Sequence, residues 1–106
     1  MPWSFVLLNA EVRAELEALP DMRASFERIV RLVQTVGLER VHEPYIRHLE
    51  GRLWEMRLKG KAGIARAIYL TAVQRRVAVL RVFGKKTQRT PRGEIELALK
   101  RAQEVT

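Results

Sequence analysis

The chemical equipment of this chain consists mainly of cationic side chains, and most of them lie in one stretch. Between Arg52 and Arg92 there are twelve lysines or arginines and one acid, Glu55, so this stretch carries +11 while the whole chain carries +8. The same stretch has the alternating pattern of β-strands, which should place the charges on a folded surface. A folded surface of one sign attracts a polyanion, and a phosphate backbone is the commonest polyanion that a small protein meets.

Two arginines lie inside runs that are otherwise apolar. Arg66 is in I-A-R-A-I-Y-L and Arg81 is in V-A-V-L-R-V-F. Because an unpaired buried charge is costly, each guanidinium must either pair with a carboxylate such as Glu55 or reach a cleft. The residues alone leave both alternatives open. One acid cannot neutralise twelve cations, however, so most cations of the stretch should remain available to a partner.

A basic loop follows the last of these runs. Residues 84–90, G-K-K-T-Q-R-T, offer lysines, hydroxyls and an amide that can contact phosphate oxygens at the end of a strand. A loop that is merely solvated is the alternative. Aromatic residues are few here, essentially Tyr69 and Phe83, so the sequence does not predict a platform on which several bases stack.

Other kinds of site find little support. The absence of cysteine excludes disulfides and thiol catalysis and argues against structural zinc. His42 and His48 lack zinc-ligand spacing and are interpreted as surface residues, so we predict no metal and no cofactor. Met1–Leu8 is too short and uncharged for a secretory signal, and no run approaches the roughly 20 apolar residues of a membrane span. We therefore expect a cytoplasmic protein that does not bind a membrane.

One common reaction can be carried out mainly by cations, namely cleavage of RNA by its own 2′-hydroxyl. The substrate supplies the nucleophile, and the protein must align it with the phosphorus and stabilise the extra negative charge of the phosphorane. Lysine and arginine donors held in a cleft can do this, and electrostatic stabilisation is often the largest catalytic contribution.

The first 39 residues, with four basic and six acidic side chains, predict a helical support. A short strand is predicted at Trp3–Leu8, followed by a helix that Asn9 can cap. Pro20 interrupts the helical pattern, and a second helix is predicted at Asp21–Val36. Leu38–Gly51 is interpreted as a connector.

The apolar pattern then changes to a period of two. Strands are predicted at residues 54–59, Ile64–Thr71 and Val77–Phe83, and the short turns between them indicate an antiparallel meander. Thr90 is predicted to cap a last helix with Pro91 at its first position. The predicted order is β-α-α-β-β-β-α.

Three segments together resemble a known family. They are P-Y-I-R-H-L-E-G-R-L-W-E-M-R (44–57), G-I-A-R-A-I-Y (63–69) and V-L-R-V-F-G-K-K-T-Q-R-T-P-R-G-E-I-E-L-A (79–98). This pattern is similar to the HigB-type toxins of bacterial toxin–antitoxin systems, in the phage-derived-protein branch of the RelE/ParE superfamily. The resemblance covers about residues 3–105. It implies one domain over residues 1–106 and an α+β, RelE-like fold, with two N-terminal helices packed on a small antiparallel sheet and a C-terminal helix.

The resemblance also implies a function and partners. Family members are typically ribosome-dependent mRNA endonucleases that a helix-turn-helix, HigA-like antitoxin silences, and the complex binds operator DNA. The expected partners are therefore the antitoxin, the ribosome with its mRNA, and operator DNA. A non-catalytic module, either a ParE-like gyrase inhibitor or a decayed toxin, is the alternative.

The candidate site residues combine this resemblance with the charge pattern. Arg66 matches the arginine of the family's G-x-x-R-x-x-Y strand and is the best candidate for phosphate activation. The candidate catalytic residues are Arg66, Arg81 and Lys86. The candidate RNA-binding residues are Arg57, Lys59, Lys61, Lys85, Thr87 and Arg89.

Overall fold

A five-stranded sheet forms the centre of the computed structural model, which describes residues 2–61, 63–86 and 88–105. The strands in chain order are β1 (Ser4–Leu7), β2 (Ile46–Glu50), β3 (Leu53–Gly60), β4 (Gly63–Ala72) and β5 (Arg76–Gly84). Their order across the sheet is β1-β5-β4-β3-β2. β1 runs parallel to β5, and every other neighbouring pair is antiparallel.

Three α-helices accompany the sheet, namely α1 (Ala10–Glu17), α2 (Arg23–Val36) and α3 (Arg92–Ala102). Short 3-10 segments at Pro20–Met22 and Leu38–Arg40 lie on either side of α2. No helix within the described part of the chain is long and apolar enough to cross a membrane.

The predicted RelE-like arrangement of two N-terminal helices on a small antiparallel sheet is wrong. The sheet is mixed and has five strands, and its strands supply most of the buried apolar side chains. Two elements account for the difference. β1 joins the sheet beside β5, so its partner is the strand farthest from it in sequence, and the predicted connector contains β2.

The sequence analysis did not predict β2, because this strand lies at the edge of the sheet and lacks an alternation of apolar and polar residues. Of its five residues only Ile46 is buried, while Arg47 and His48 are exposed. Its register is nevertheless well defined, since Arg47 faces Glu55 and His48 faces Trp54 on β3.

Helices cover both faces of the sheet. On one face, side chains of α1 and α2 pack with alternate residues of β3, β4 and β5, and this cluster includes Val12, Phe26, Ile29, Met56, Leu58, Tyr69 and Val79. On the other face, α3 packs through Ile95, Ala98 and Ala102 on Leu53, Ile68, Leu70 and Leu80. The open surface left for chemistry is therefore at the end and edge of the sheet, where the strands extend beyond the helices.

Two helices also protect strand edges that have no neighbouring strand. Beyond the end of β1, the amide of Val82 on β5 donates to the carboxylate of Glu15 at 3.1 Å. Beyond the end of β2, the amide of Lys59 on β3 donates to the hydroxyl of Ser25 at 3.0 Å. Side chains of α1 and α2 thus satisfy backbone groups that an exposed edge would present to other chains.

The start of α1 agrees with the sequence pattern, whereas the start of α3 does not. The side-chain oxygen of Asn9 accepts a hydrogen bond from the amide of Val12 at 3.0 Å, as expected of an N-cap. α3 begins at Arg92 after Pro91, without a side-chain cap. The side chain of Thr90, the predicted capping residue, instead forms hydrogen bonds with Arg66 and Glu55.

Replacing Asn9 with alanine should lower the free energy of unfolding by about 1 kcal/mol, because the first turn of α1 loses its acceptor. Asn9→Ser, which keeps an acceptor oxygen, should lose much less. Urea denaturation of both variants measures the difference. An alanine variant as stable as the parent chain would show that the cap contributes nothing.

Candidate nucleic-acid interface

A basic cleft surrounds Arg57 on β3, where three neighbouring cavities share this residue as part of their lining. The largest, of about 710 Å³, lies between α2 and β3. The others have volumes of about 180 Å³ and 540 Å³ and lie toward the segment that follows β5. We call the combined surface the Arg57 cleft. Its polar lining includes two carboxylates, Glu43 and Glu55, and a larger number of cationic and neutral side chains, namely Arg28, Arg31, Tyr45, Arg47, Arg57, Lys59, Arg66, Lys85, Lys86 and Gln88.

Arg66 lies at the base of this cleft and is only 5% exposed. Its guanidinium donates to the Glu55 carboxylate, to the Thr90 hydroxyl at 2.8 Å and to the Gln88 carbonyl at 2.9 Å. The sequence left open whether Arg66 pairs with a carboxylate or reaches a cleft unpaired, and the structure shows that it pairs with a carboxylate. Its donors are largely occupied, so it has little freedom to bind a substrate.

Glu55 gathers several elements around one buried carboxylate. Besides Arg66 on β4, it contacts Arg47 on β2 at 3.1 Å and accepts a hydrogen bond from the Thr90 hydroxyl at 2.8 Å. We call Glu55, Arg47, Arg66 and Thr90 the Glu55 clasp. Because the clasp joins three strands to the segment before α3, it fixes that segment beside the Arg57 cleft.

Arg57 differs from Arg66 because it is half-buried and forms no ion pair with an acid in the described part of the chain. In the antiparallel register it stands directly opposite Arg66, an arrangement that places two like charges on neighbouring strands. Among residues 2–61, 63–86 and 88–105, no carboxylate lies within ion-pair distance of Arg57, and its Nε is buried without a hydrogen-bond partner. Its guanidinium is therefore available to an anion.

Lys85 completes a cluster of cations with these arginines. Loss of water around the ammonium lowers the pKa of Lys85, and the positive charges of Arg66 and Arg57 lower it further. Its backbone is fixed, since its amide donates to the Ile64 carbonyl at 2.8 Å. Mutual repulsion of this kind is relieved when an anion enters between the cations.

The pKa of an ordinary lysine is about 10.4, and the pKa of Lys85 is lowered. Lys85 should therefore lose its proton at a lower pH than an ordinary lysine, and with the proton it loses its attraction for phosphate. Affinity for a single-stranded oligodeoxynucleotide, which resists alkaline hydrolysis, should fall as the pH rises through this lowered pKa. Lys85→Arg should retain affinity to higher pH, since arginine stays charged. The same exchange at Lys100 on α3 serves as control, and identical pH profiles for Lys85→Arg and the parent chain would contradict the expectation.

Arg81 lies outside the described lining of the Arg57 cleft. Its guanidinium contacts Glu94 on α3 at 2.6 Å and Glu15 on α1 at 2.8 Å. The hydrogen bond to Glu94 raises the pKa of Arg81, which keeps it charged. Arg101 joins this network through Glu15 at 2.9 Å. Arg81 thus also pairs with carboxylates. The network of these side chains connects α1, β5 and α3 and lies outside the described lining of the cleft.

The remaining predicted residues divide between the cleft and its surroundings. Lys59 lines the largest cavity, and Lys86 lines the cavity that Lys85 also reaches. Lys61 and Arg89 are exposed and do not belong to the described lining. Thr87 lies outside the described residues.

Sequence reasoning missed several cationic and aromatic residues of the cleft. Arg28 and Arg31 belong to α2, which had been interpreted as a support, and Tyr45 and Arg47 belong to the predicted connector. The run Y-I-R-H-L after Pro44, rich in residues that favour strands, was the available indication of β2. No group of three or more His, Cys, Asp or Glu residues in the described ranges is arranged to hold a metal ion.

Comparison with known families gives a match over most of the chain. A family model described as "Phage derived protein Gp49-like (DUF891)" matches residues 14–103. This range begins within α1, ends just after α3 and includes the whole lining of the Arg57 cleft. The curated proteins contain no match to the sequence.

Proposed function

Since the chain belongs to the Gp49-like family of phage-derived proteins, a toxin-like group of the RelE/ParE type, we propose that it is a HigB-type toxin that cleaves mRNA on the ribosome. The observation that supports this most strongly is Arg57. It is a cation without an acid partner among the described residues, it stands opposite Arg66, and it lies beside Lys85 in an open cleft. Such a cluster favours binding of a phosphodiester.

In the proposed reaction the 2′-hydroxyl of one nucleotide gives its proton to a water molecule while its oxygen attacks the adjacent phosphorus. A 2′,3′-cyclic phosphate forms, and the bond from phosphorus to the 5′-oxygen breaks. Arg57 donates to the non-bridging oxygens and stabilises the charge that develops on them. Lys85 gives a proton to the departing 5′-oxygen, for which its lowered pKa makes it a better acid. Arg66 acts here as a positioning residue, because its donors are held within the Glu55 clasp.

We propose that the ribosome compensates for a weakness of the cleft. The described lining includes no histidine that could act as a general base for the 2′-hydroxyl. A partner that presents the RNA already bent, with the 2′-oxygen aligned to the phosphorus, would replace part of that contribution. We infer that the ribosome is this partner.

An antitoxin is the second proposed partner. A chain of net charge +8 with an open basic cleft should associate quickly, and in a salt-dependent manner, with an acidic segment. We propose that a helix-turn-helix protein provides this segment and brings the complex to operator DNA.

A non-catalytic toxin is the competing function, and one observation favours it. Both arginines that lie within apolar strands, Arg66 and Arg81, form ion pairs with carboxylates. A chain that only binds its target, as a gyrase inhibitor would, needs no free catalytic arginine at either position.

The deciding experiment is expression of the chain alone and together with the product of the neighbouring gene. Alone, it should arrest growth and produce mRNA fragments with new 5′-hydroxyl ends and 2′,3′-cyclic phosphate ends. With the antitoxin, both effects should disappear. Growth arrest without new mRNA ends would favour the non-catalytic toxin, and the absence of any effect on growth or mRNA would contradict both functions.

A further inference from the structure

A second concave surface lies near the Arg57 cleft and is lined by aromatic rings. Trp3, His42, Trp54 and Tyr69 surround a cavity of about 380 Å³ whose floor is apolar, with Val41 and Ile46 contributing. We call these four residues the aromatic pocket. A cavity of this size, with apolar walls and few polar groups, suits a small planar ligand.

Trp54 is an exposed ring of the pocket that already packs against a neighbour. It is 38% exposed, and the ring of His48 lies against it with centroids 4.8 Å apart and planes inclined at 54°. The Nε2 of His48 in turn donates to the Gly51 carbonyl at 2.8 Å. A ring that is exposed and already packed on one side can stack on a base at a reduced cost in conformational entropy.

A third cavity adjoins both the aromatic pocket and the Arg57 cleft, and we call it the path. It has a volume of about 320 Å³, shares His42 and Trp54 with the pocket, and shares Glu43 and Arg47 with the cleft. Arg47 is about half-exposed at the side chain, so it can contact a phosphate on the way. One strand of nucleic acid can thus place a phosphate at Arg57 and a base at Trp54.

We propose that the aromatic pocket binds a nucleobase of the RNA strand whose phosphate occupies the Arg57 cleft, with Trp54 as the stacking surface. This inference rests on the proposed function and adds to it a site that contributes to substrate selection. Glu39 lines the pocket and does not line the Arg57 cleft. Its carboxylate repels phosphate and accepts hydrogen bonds from base amino groups, so it favours the base at this end of the strand.

An exposed tryptophan can also serve a protein interface, but the surroundings of Trp54 favour a base. Protein-docking sites usually present contiguous apolar patches. Here the exposed large apolar side chains among the described residues belong to different elements or to the segments between them, at Val6, Val36, Tyr45, Trp54, Val73 and Leu99. Trp54 instead borders a cavity between rings and a path lined by Arg47.

Tryptophan fluorescence can test the inference directly, because the chain contains only Trp3 and Trp54. In a Trp3→Phe background, Trp54 is the single reporter. We expect a short single-stranded RNA at low ionic strength to quench it, while an abasic ribose-phosphate oligomer of equal length quenches it much less. Trp54→Ala should weaken RNA binding, followed by anisotropy of a labelled RNA, about tenfold and leave binding of the abasic oligomer unchanged.

Two further variants distinguish the loss of a stacking ring from a folding defect. Trp54→Phe should retain most of the affinity for RNA because it keeps a ring, whereas Trp54→Leu keeps apolar bulk and should behave as Trp54→Ala. Val73→Ala, at an exposed apolar residue outside the pocket, is the matched control.

The possible failures are distinguishable. Equal binding of RNA and the abasic oligomer, unchanged by Trp54→Ala, would overturn the stacking site and leave the phosphate cleft intact. Binding of neither oligomer would overturn the proposed function and this inference together. A Trp54→Ala chain that loses its protein partner but binds RNA as before would assign Trp54 to a protein interface and overturn the inference.

Discussion

Replacing Glu55 with alanine should lower the free energy of unfolding by about 3–5 kcal/mol, the usual effect of removing one partner from a buried ion pair. The reason is the position of Arg66. This residue is 5% exposed, and among the described residues its guanidinium would keep the Thr90 hydroxyl and the Gln88 carbonyl as partners. Arg47 would lose its carboxylate as well. Urea denaturation, with the midpoint and slope fitted together, measures the loss.

A matched pair of controls isolates the buried charge as the cause. Glu50→Ala removes an acid from an exposed pair with Arg92 and should change the stability by less than about 1 kcal/mol. The double variant Glu55→Leu with Arg66→Met removes both buried charges and should recover most of the lost stability. A double variant as unstable as Glu55→Ala would show that packing, and not the unpaired guanidinium, causes the loss.

Replacing Arg57 with alanine should lower the rate of mRNA cleavage by about 10²–10³-fold, equivalent to about 2.7–4 kcal/mol of transition-state stabilisation. The fold should remain intact, because Arg57 has no ion-pair partner among the described residues and its removal relieves repulsion with Arg66. Cleavage of ribosome-bound mRNA by the purified variant gives the rate, and denaturation confirms that the variant is folded.

Two variants control for charge and geometry. Arg57→Lys keeps the charge and should retain part of the activity, although it loses the bidentate geometry. Arg13→Ala on α1 removes a cation outside the described lining and should cleave at the parental rate. If Arg57→Ala were as active as the parent chain, the Arg57 cleft would not be the catalytic site. Arg66→Ala is a less informative variant, because it leaves the buried carboxylate of Glu55 without its main partner.

The parts of the fold that depend on local patterns were predictable from sequence. Asn9 before an apolar helical face identified the start of α1, and the period of two identified β3, β4 and β5. β2 was not predictable in this way, because an edge strand exposes most of its residues. The pairing of β1 with β5 was not predictable either, because no local pattern records which distant strand becomes a parallel neighbour.

The residues of the candidate site were likewise predictable from sequence only in part. Counting charges along the chain identified Arg57, Lys59, Lys85 and Lys86, which line the cleft. The count did not reveal the ion pairs of Arg81, because its partners Glu15 and Glu94 lie outside the stretch that was counted and are brought to it by α1 and α3. It could not choose between a free and a paired Arg66, since that depends on which strands adjoin. The packing of His48 against Trp54 could not be predicted, because this contact requires β2.

The parallel pairing of β1 with β5 also affects how the chain is made. Ser4 aligns with Arg76, so the first strand cannot be incorporated into the sheet until about three-quarters of the chain has been synthesised. Until then the apolar sides of α1 and α2 lack most of the strands that cover them. Such late, non-local closure slows folding and exposes apolar surface to chaperones. Lys85 is added later still, so an unfinished chain on the ribosome cannot yet present the complete basic cleft. A partner that recognises the nascent N-terminal helices would meet the chain before the basic cleft is complete.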